Sequence, residues 1–293
     1  MNDSGWIQLR ERRDFSEVLS ATFTFLRQNF VFLAKQILFL VGPVVLTALI
    51  VGALSYLWLD PFVNLESDPF AVVVGFFTPL YLLLIIASYL FSATLFGFLV
   101  LYVERGPRGF DTPDLLRMIL KYVWRLLLGA IVVAVVTIAG FIFFIIPGIY
   151  VAVATSLFAI VLMQEDLGVF EAIARCFELI RRNWWATFGI MFVLGILTYL
   201  ISLAMMLPLS LFGAIVEMNT VTGEAEFSPL AMTVWIGVNT VLGYIGYTLI
   251  YLGLGIQYYN LVEQREMAGL LERVERIGTD AESEREDDGT GDR

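Results

Sequence analysis

The sequence contains no histidine, and no aspartate or glutamate lies inside any of its long apolar runs. Histidine-based metal sites and Ser-His-Asp triads are therefore excluded. Proton and ion paths through a bilayer depend on ionisable side chains, so a proton-coupled carrier is disfavoured as well. Ser88, Ser92 and Ser202 have no candidate base, and we interpret them as helix-packing residues. We predict a protein that is not an enzyme and binds neither a cofactor nor a metal.

Cysteine is almost absent, because Cys176 is the single one. It cannot form a disulfide within the chain, so cysteine usage does not indicate an oxidising compartment. We expect Cys176 to be a buried structural thiol. The first 36 residues carry nine charges and no apolar core, and we therefore expect no secretory signal peptide.

Apolar residues dominate what is present: 59% of the 293 positions are hydrophobic and only 16% are charged. Soluble domains have about 25% charged residues, so this composition is typical of a polytopic membrane protein. We predict an all-α membrane bundle of about six transmembrane helices, arranged as three hairpins and accompanied by cytoplasmic amphipathic helices at the membrane surface. The predicted spans cover residues 37–59, 79–103, 126–146, 149–163, 186–207 and 230–257.

The predicted membrane domain covers residues 14–262 and follows a polar N-terminus, residues 1–13. Residues 263–293 form a tail, amphipathic at first and then acidic, which we expect to be disordered from Thr279. Pro147-Gly148 predicts a break between the third and fourth spans. The 15 residues of the fourth span rise only about 22 Å as a helix, so a tight hairpin and a re-entrant hairpin both fit.

The charges predict an orientation. With six alternating spans, all 18 lysines and arginines fall on the side that holds both termini. The opposite loops, residues 60–70 and 209–228, contain six acids and no base. The positive-inside rule then places both termini in the cytoplasm and the protein in the cytoplasmic (inner) cell membrane.

Residues 169–185 show the clearest amphipathic helical pattern. The apolar face holds Val169, Ile173, Phe177, Ile180 and Trp184, and the charged face holds Glu171, Arg175, Glu178 and Arg182. Glu171 with Arg175 and Glu178 with Arg182 are predicted ion pairs across one helical turn. A shift of 154 positions aligns residues 15–30 with this segment, with four identities. An ancient duplication and convergence on a common amphipathic pattern both explain this match.

Three of the spans are preceded by a basic residue that is followed, three positions later, by an aromatic one. These pairs are Arg27 with Phe30, Lys121 with Trp124, and Arg181 with Trp184. Segments of this kind suit the inner leaflet, where a basic side chain gains about 1 kcal/mol from anionic lipid. The alternative is an ordinary solvated helix face. The candidate contacts for lipid or a protein partner are Arg27, Lys121, Arg125, Arg175, Arg181, Arg182 and Trp184.

A polar and glycine seam runs along the sixth span. Asn239, Gly243, Gly246 and Gly253 share one helix face, and Asn239 is the strongest polar group deep in a span. Such a seam usually packs against a neighbouring helix. It is also where a permease or channel-like transporter would contact a neutral or lipidic substrate.

A set of short motifs resembles a broad group of prokaryotic six-span membrane proteins: Pro147-Gly148-Ile149-Tyr150, Glu165, Glu171-Ala172, Phe177-Glu178-Leu179-Ile180 and Trp184. That group is akin to the membrane domain found beside some glycerophosphoryl diester phosphodiesterases. In the fused relatives catalysis belongs to a separate soluble domain, which the sequence lacks. The resemblance covers about residues 140–260 and implies a stand-alone membrane module without catalytic residues.

These observations predict a non-enzymatic integral membrane protein that acts as a lipid-interacting or scaffold module. Its expected partners are anionic lipids of the inner leaflet and a protein on the cytoplasmic side, with no nucleic acid. The alternatives are the permease and a subunit of a larger complex.

Overall fold

The computed structural model describes residues 6–59, 78–219 and 229–288, and within these ranges all regular structure is α-helical. The all-α fold class is confirmed. The acidic loop at 60–70 lies outside the described residues, as do residues 1–5, 220–228 and 289–293. The helices are α1 Phe15–Leu40, α2 Gly42–Leu59, α3 Thr78–Arg105, α4 Thr112–Phe143, α5 Ile145–Thr155, α6 Phe158–Glu165, α7 Val169–Ile180, α8 Trp184–Asn219 and α9 Pro229–Asp288.

Five helical stretches of the described chain are long and apolar enough to cross a membrane, and α1 with α2 makes a sixth if this pair is one span bent by 43°. This agrees with the predicted number of about six. The five stretches are Thr78–Arg105, Thr112–Ile142, Ile145–Glu165, Trp184–Leu207 and Trp235–Glu266.

The predicted hairpins are present as pairs of consecutive helices that pack against each other: α2 with α3, α4 with α5, and α8 with α9. The pair of α8 and α9 is antiparallel, because Thr198 contacts Gly246 while Thr187 contacts Gln257. Gly52 and Leu80 approach each other where α2 nears its end and α3 begins. For α4 and α5 the connection is Phe144 alone, and so short a connection favours antiparallel packing of the two helices.

The first break differs from the predicted start of a span at Ile37. The helix α1 continues to Leu40, and the chain bends at Val41 before α2 begins at Gly42. Pro43 lies in the first turn of α2, where a proline needs no backbone N–H partner. The first residues of the apolar run that starts at Ile37 therefore belong to the end of α1, and the rest of the run forms α2.

The second break lies at Phe144 rather than at Pro147-Gly148. Phe144 has extended backbone angles, φ −164° and ψ 150°, and Pro147 lies inside the first turn of α5. Proline is well tolerated there. The two helices α5 and α6 together span Ile145–Glu165, which is 21 residues and long enough to cross. The structure shows a helical hairpin with its turn at Phe144, whose second arm is long enough to cross a membrane.

The helices α1 and α7 share more than sequence. Their first residues, Phe15 and Val169, differ by the same 154 positions. In the first turn of each helix, a glutamate side chain accepts a hydrogen bond from the backbone N–H three residues earlier. Glu17 accepts from the Asp14 N–H at 2.8 Å, and Glu171 accepts from the Gly168 N–H at 3.0 Å. The buried positions also correspond, namely Val18, Thr22 and Phe25 with Ala172, Cys176 and Leu179. This agreement favours the duplication.

The predicted apolar face of α7 packs against the core: Ile180 is fully buried, and Val169, Ile173, Phe177 and Trp184 are partly buried against it. The helix α1 differs, because its large residues Phe15, Phe23 and Phe30 are exposed, while Thr22 and Phe25 are fully buried. Small and medium side chains allow helices to approach closely, whereas large apolar side chains can face lipid without cost. The helix α1 thus has an apolar outer face as well as a core face.

The tail also differs from prediction, because α9 continues as a helix to Asp288, through the segment expected to be disordered from Thr279. Glutamate, arginine, leucine and alanine are frequent from 263 onward and proline is absent from it. These residues have high helix propensity, which supports continuation of a helix that is already formed.

Candidate functional site

One end of the bundle, here called the basic end, joins the beginning of α1, the α3–α4 loop, the segment from α6 to α8 and residues 257–265 of α9. Hydrogen bonds connect segments that are distant in sequence: Tyr102 to Ile7, Arg13 to Asn260, Tyr258 to Glu165, and Asn183 to Gln264. The candidate basic residues from three parts of the chain are thereby placed at one end.

Arg175 lies at the centre of an ion-pair network that joins α6, α7 and α9. Its Nε is 3.0 Å from a Glu165 carboxylate oxygen, and its Nη1 is 3.0 Å from Glu178. Arg265 donates to the same Glu178, and the Tyr258 hydroxyl donates to Glu165. Hydrogen bonding from Arg175 lowers the pKa of Glu178. Arg175, predicted as a lipid contact, is thus engaged within the protein.

The predicted pairs within α7 are not formed. Arg175 pairs with Glu165 and Glu178, whereas Glu171 accepts from the Gly168 N–H at the start of the helix. The Arg175–Glu165 pair is partly buried, and there a charged hydrogen bond gains more than on an open surface. Cys176, next to Arg175, is fully buried as predicted, and burial raises its pKa to about 12.

Lys121 and Arg125 meet at Asp166. Their nitrogens lie 2.9 Å and 2.8 Å from the two Asp166 oxygens. Asp166 adopts left-handed backbone angles, φ 49° and ψ 39°, directly after α6. Sequence reasoning identified the two basic residues but not this acidic partner. A polar cleft of about 410 Å³ adjoins the pair, and its charged lining is balanced between Glu104, Asp114 and Asp166 and Arg105, Arg117 and Lys121.

Arg181 and Arg182 lie in the turn between α7 and α8, and both are exposed. Neither has an ion pair or hydrogen bond from its side chain within the described part of the chain. The next residues are Trp184 and Trp185, and Trp185 is 77% exposed. An unpaired cation pair beside exposed tryptophan is the composition that membrane proteins place at the headgroup level.

The aromatic part of this turn is held rigidly. The Trp184 ring stacks on Phe188, with centroids 5.2 Å apart, and on Tyr150, at 5.8 Å. Its indole N–H donates to the Tyr150 carbonyl at 3.4 Å. We call Arg181, Arg182, Trp184, Trp185 and Phe188 the basic–aromatic elbow. Trp185, and Tyr150 with its contacts to Trp184, were not among the predicted site residues, although the Trp-Trp pair was visible in the sequence.

The other two basic–aromatic pairs also present their aromatic side chain outward. Phe30 is 58% exposed and Trp124 is 73% exposed. Arg27 is exposed on α1 and has no ion pair among the described residues. Of the three basic residues in these pairs, Lys121 is the one that forms an ion pair among the described residues, with Asp166.

The seam on α9 divides into two parts. Gly246 packs closely on α8: the Thr198 hydroxyl donates to its carbonyl at 3.0 Å, and a Cβ there would lie 2.6 Å from Thr198 Cγ2. Asn239 is half-buried and its amide donates to the Trp235 carbonyl of its own helix at 2.9 Å. A Cβ at Gly243 would meet only Tyr247 of the same helix, at 3.6 Å. Helix packing therefore explains Gly246.

Among the described residues, no group of three or more histidine, cysteine, aspartate or glutamate side chains could hold a metal ion. The chain matches no protein-family model, no curated protein and no solved structure. The resemblance to the phosphodiesterase-associated membrane domain therefore stays a prediction. The geometry of the basic end is the basis for any functional assignment.

Proposed function

We propose that this protein is a multi-pass protein of the cytoplasmic membrane that binds anionic lipid headgroups at its basic end through the basic–aromatic elbow. The observation that carries the proposal is the exposed pair Arg181 and Arg182, which has no partner in the part of the chain that the structure describes and lies beside Trp184 and Trp185. The chemistry is non-covalent: guanidinium groups bind phosphate oxygens, and indole rings lie at the level of the headgroups.

The elbow is favoured over Arg175, Lys121 and Arg125 because each of those side chains is already paired with a carboxylate. Arg175 and Arg265 bind Glu178, and Lys121 and Arg125 bind Asp166. A lipid phosphate near such a pair competes with a carboxylate, whereas at Arg181 and Arg182 it replaces only water. Two free arginines at about 1 kcal/mol each correspond to a preference for anionic lipid of roughly 30-fold.

The double substitution Arg181→Gln/Arg182→Gln should reduce the preference for phosphatidylglycerol over phosphatidylcholine by about 10- to 30-fold. The full-length protein in detergent would be titrated with each lipid, and bound lipid would be counted by native mass spectrometry. Each substitution retains a polar side chain on an exposed turn, so the fold should be unaffected.

The matched control is Arg105→Gln/Arg117→Gln, which removes the same charge from the same end. Both of these arginines contact Asp114, at 3.1 Å and 3.2 Å. We expect a change of less than about threefold, because both side chains are already engaged by Asp114. An equal loss in both double variants would mean that only net charge matters and would overturn the role of the elbow.

A permease that uses the α9 seam has less support. Asn239 hydrogen-bonds within its own helix, and Thr198 occupies the space beside Gly246. Both groups therefore have structural partners that account for their presence. A lipidic ligand could still reach the bundle from the side, by a route that does not use Asn239.

The orientation proposed from the charges places the basic end and both termini in the cytoplasm. We expect a membrane-impermeant maleimide to label Thr222→Cys, in the acidic segment predicted to lie on the opposite side, in intact cells. It should label Ser16→Cys, at the basic end, only after the membrane is opened. The native Cys176 is buried and should stay unlabelled in both cases. Labelling of Ser16→Cys in intact cells would reverse the orientation.

A further inference from the structure

An apolar groove of about 520 Å³ lies between α1, α2, α3 and α9. One wall is α1 from Leu26 to Leu38, which corresponds to about 18 Å of helix. The opposite wall is formed by Val241, Tyr244, Ile245 and Thr248 of α9. This volume lies within the range of small-molecule pockets, roughly 300–1,000 Å³.

The floor of the groove is aromatic. Phe91 of α3 is buried and stacks on Tyr244 of α9, with ring centroids 4.4 Å apart and planes 14° from parallel. The polar atoms nearby are already engaged: the Thr248 hydroxyl donates to the Tyr244 carbonyl at 2.7 Å, and the Tyr244 hydroxyl lies 3.5 Å from the Ser88 hydroxyl. A polar ligand would find no free partner in this floor, whereas a hydrocarbon chain loses nothing there.

The groove opens where apolar side chains are exposed. Leu38 is 69% exposed and Leu46 is 60% exposed, and both line it. They belong to the bent pair of helices that passes the membrane-span test. In a membrane the medium in front of such an opening is lipid hydrocarbon, so lipid is the molecule at highest concentration there.

A single cation is placed at the basic end of the groove. Arg27 precedes the groove residues Ala34 and Leu38 by seven and eleven positions, which puts each of them within about 20° of Arg27 around the helix. Helical side chains point toward the helix N-terminus, so the exposed Arg27 extends beyond the groove toward the basic end. It has no ion pair in the described chain.

We propose that this groove binds one acyl chain of an anionic phospholipid, with its phosphate on Arg27. The apolar walls and floor exclude a polar occupant, and the cation at one end matches a molecule with a long apolar part and one negative end. This inference shares with the proposed function the location in a membrane, but it does not depend on the elbow.

The test fills the groove. Ala34→Phe places an aromatic ring at a position that lines the groove and is exposed, so the core is not disturbed. The full-length protein would be washed in detergent, and retained phosphatidylglycerol would be measured by native mass spectrometry. We expect at least about a tenfold loss, because exclusion of only two methylenes already has that effect. Ala134→Phe, on the exposed side of α4 and away from the groove, is the matched control and should retain lipid normally.

A second variant separates the headgroup from the chain. Arg27→Gln should leave retained phosphatidylcholine unchanged and lower retained phosphatidylglycerol about fivefold. Undiminished phosphatidylglycerol in Ala34→Phe would overturn the groove, and undiminished phosphatidylglycerol in Arg27→Gln would overturn the assignment of the phosphate. Loss of selectivity in Arg181→Gln/Arg182→Gln concerns the elbow alone, so the two proposals can fail separately.

Discussion

Replacement of Gly148 by leucine should lower the free energy of unfolding by about 2–3 kcal/mol, the usual upper range for overpacking. A Cβ at Gly148 would lie 2.5 Å from Phe141 Cγ and 2.9 Å from Phe141 Cα. Gly140 faces the same point, since a Cβ there would lie 3.1 Å from the Gly148 Cα. A ring can turn aside but a backbone cannot, so the substitution must push α4 and α5 apart. Unfolding by sodium dodecyl sulfate in mixed micelles would measure the loss.

Gly195→Leu is the control for this substitution. Gly195 lies in α8, and a Cβ there would meet no atom within 4 Å. Leucine also has a higher helix propensity than glycine, by roughly 0.8 kcal/mol. Stability should therefore be unchanged or slightly higher. Equal destabilisation by the two substitutions would show that α4 and α5 do not approach closely at Gly148.

Arg175→Ala should destabilise the protein by about 1–3 kcal/mol, because it leaves Glu165 and Glu178 without their common partner. The Arg175 side chain is only 28% exposed, and it joins α6 and α7 through direct contacts at 3.0 Å. Arg182→Ala, on the exposed turn just after the same helix, should change stability by less than about 0.5 kcal/mol. The same denaturation assay compares the two. Similar stability of the two variants would contradict the network.

The contribution of Arg175 to the free energy of unfolding should also depend on pH. Arg175 lowers the pKa of Glu178 in the folded protein. This contribution is present above the pKa of an unfolded glutamate, about 4.3, and is lost as the pH falls through the lower, folded value. The stability difference between the native protein and Arg175→Ala should therefore shrink in acid and stay constant near neutral pH.

The helical bundle was predictable because it depends on local apolar runs and on their length. The positions at which one helix ends and the next begins were harder to predict. Proline at 147 is compatible with a break and also with the first turn of a helix, and only the tertiary packing of Gly140 on Gly148 decides between them. The same ambiguity explains why the predicted span at Ile37 is the end of one helix and the whole of the next.

The predicted site residues lie at one end of the bundle or on α9, but sequence could not rank them. Arg175 and Arg182 have the same charge and lie within one helical pattern. Their difference comes from Glu165, ten positions from Arg175, and from Arg265, which is 87 positions from the shared Glu178. Local periodicity contains no information about such partners. The exposed basic residues are therefore identified only once the ion pairs are known.

The most direct test of lipid binding at the elbow is photo-crosslinking with a phosphatidylglycerol that has a diazirine in its headgroup. The full-length protein would be irradiated in nanodiscs and digested, and the adducts would be located by mass spectrometry. The account predicts adducts at residues 181–188 that are lost in Arg181→Gln/Arg182→Gln, while adducts near Arg27, from lipid in the groove, are unaffected by that double substitution. Adducts that are evenly distributed over the exposed basic residues, or that persist at the elbow in the double variant, would contradict it.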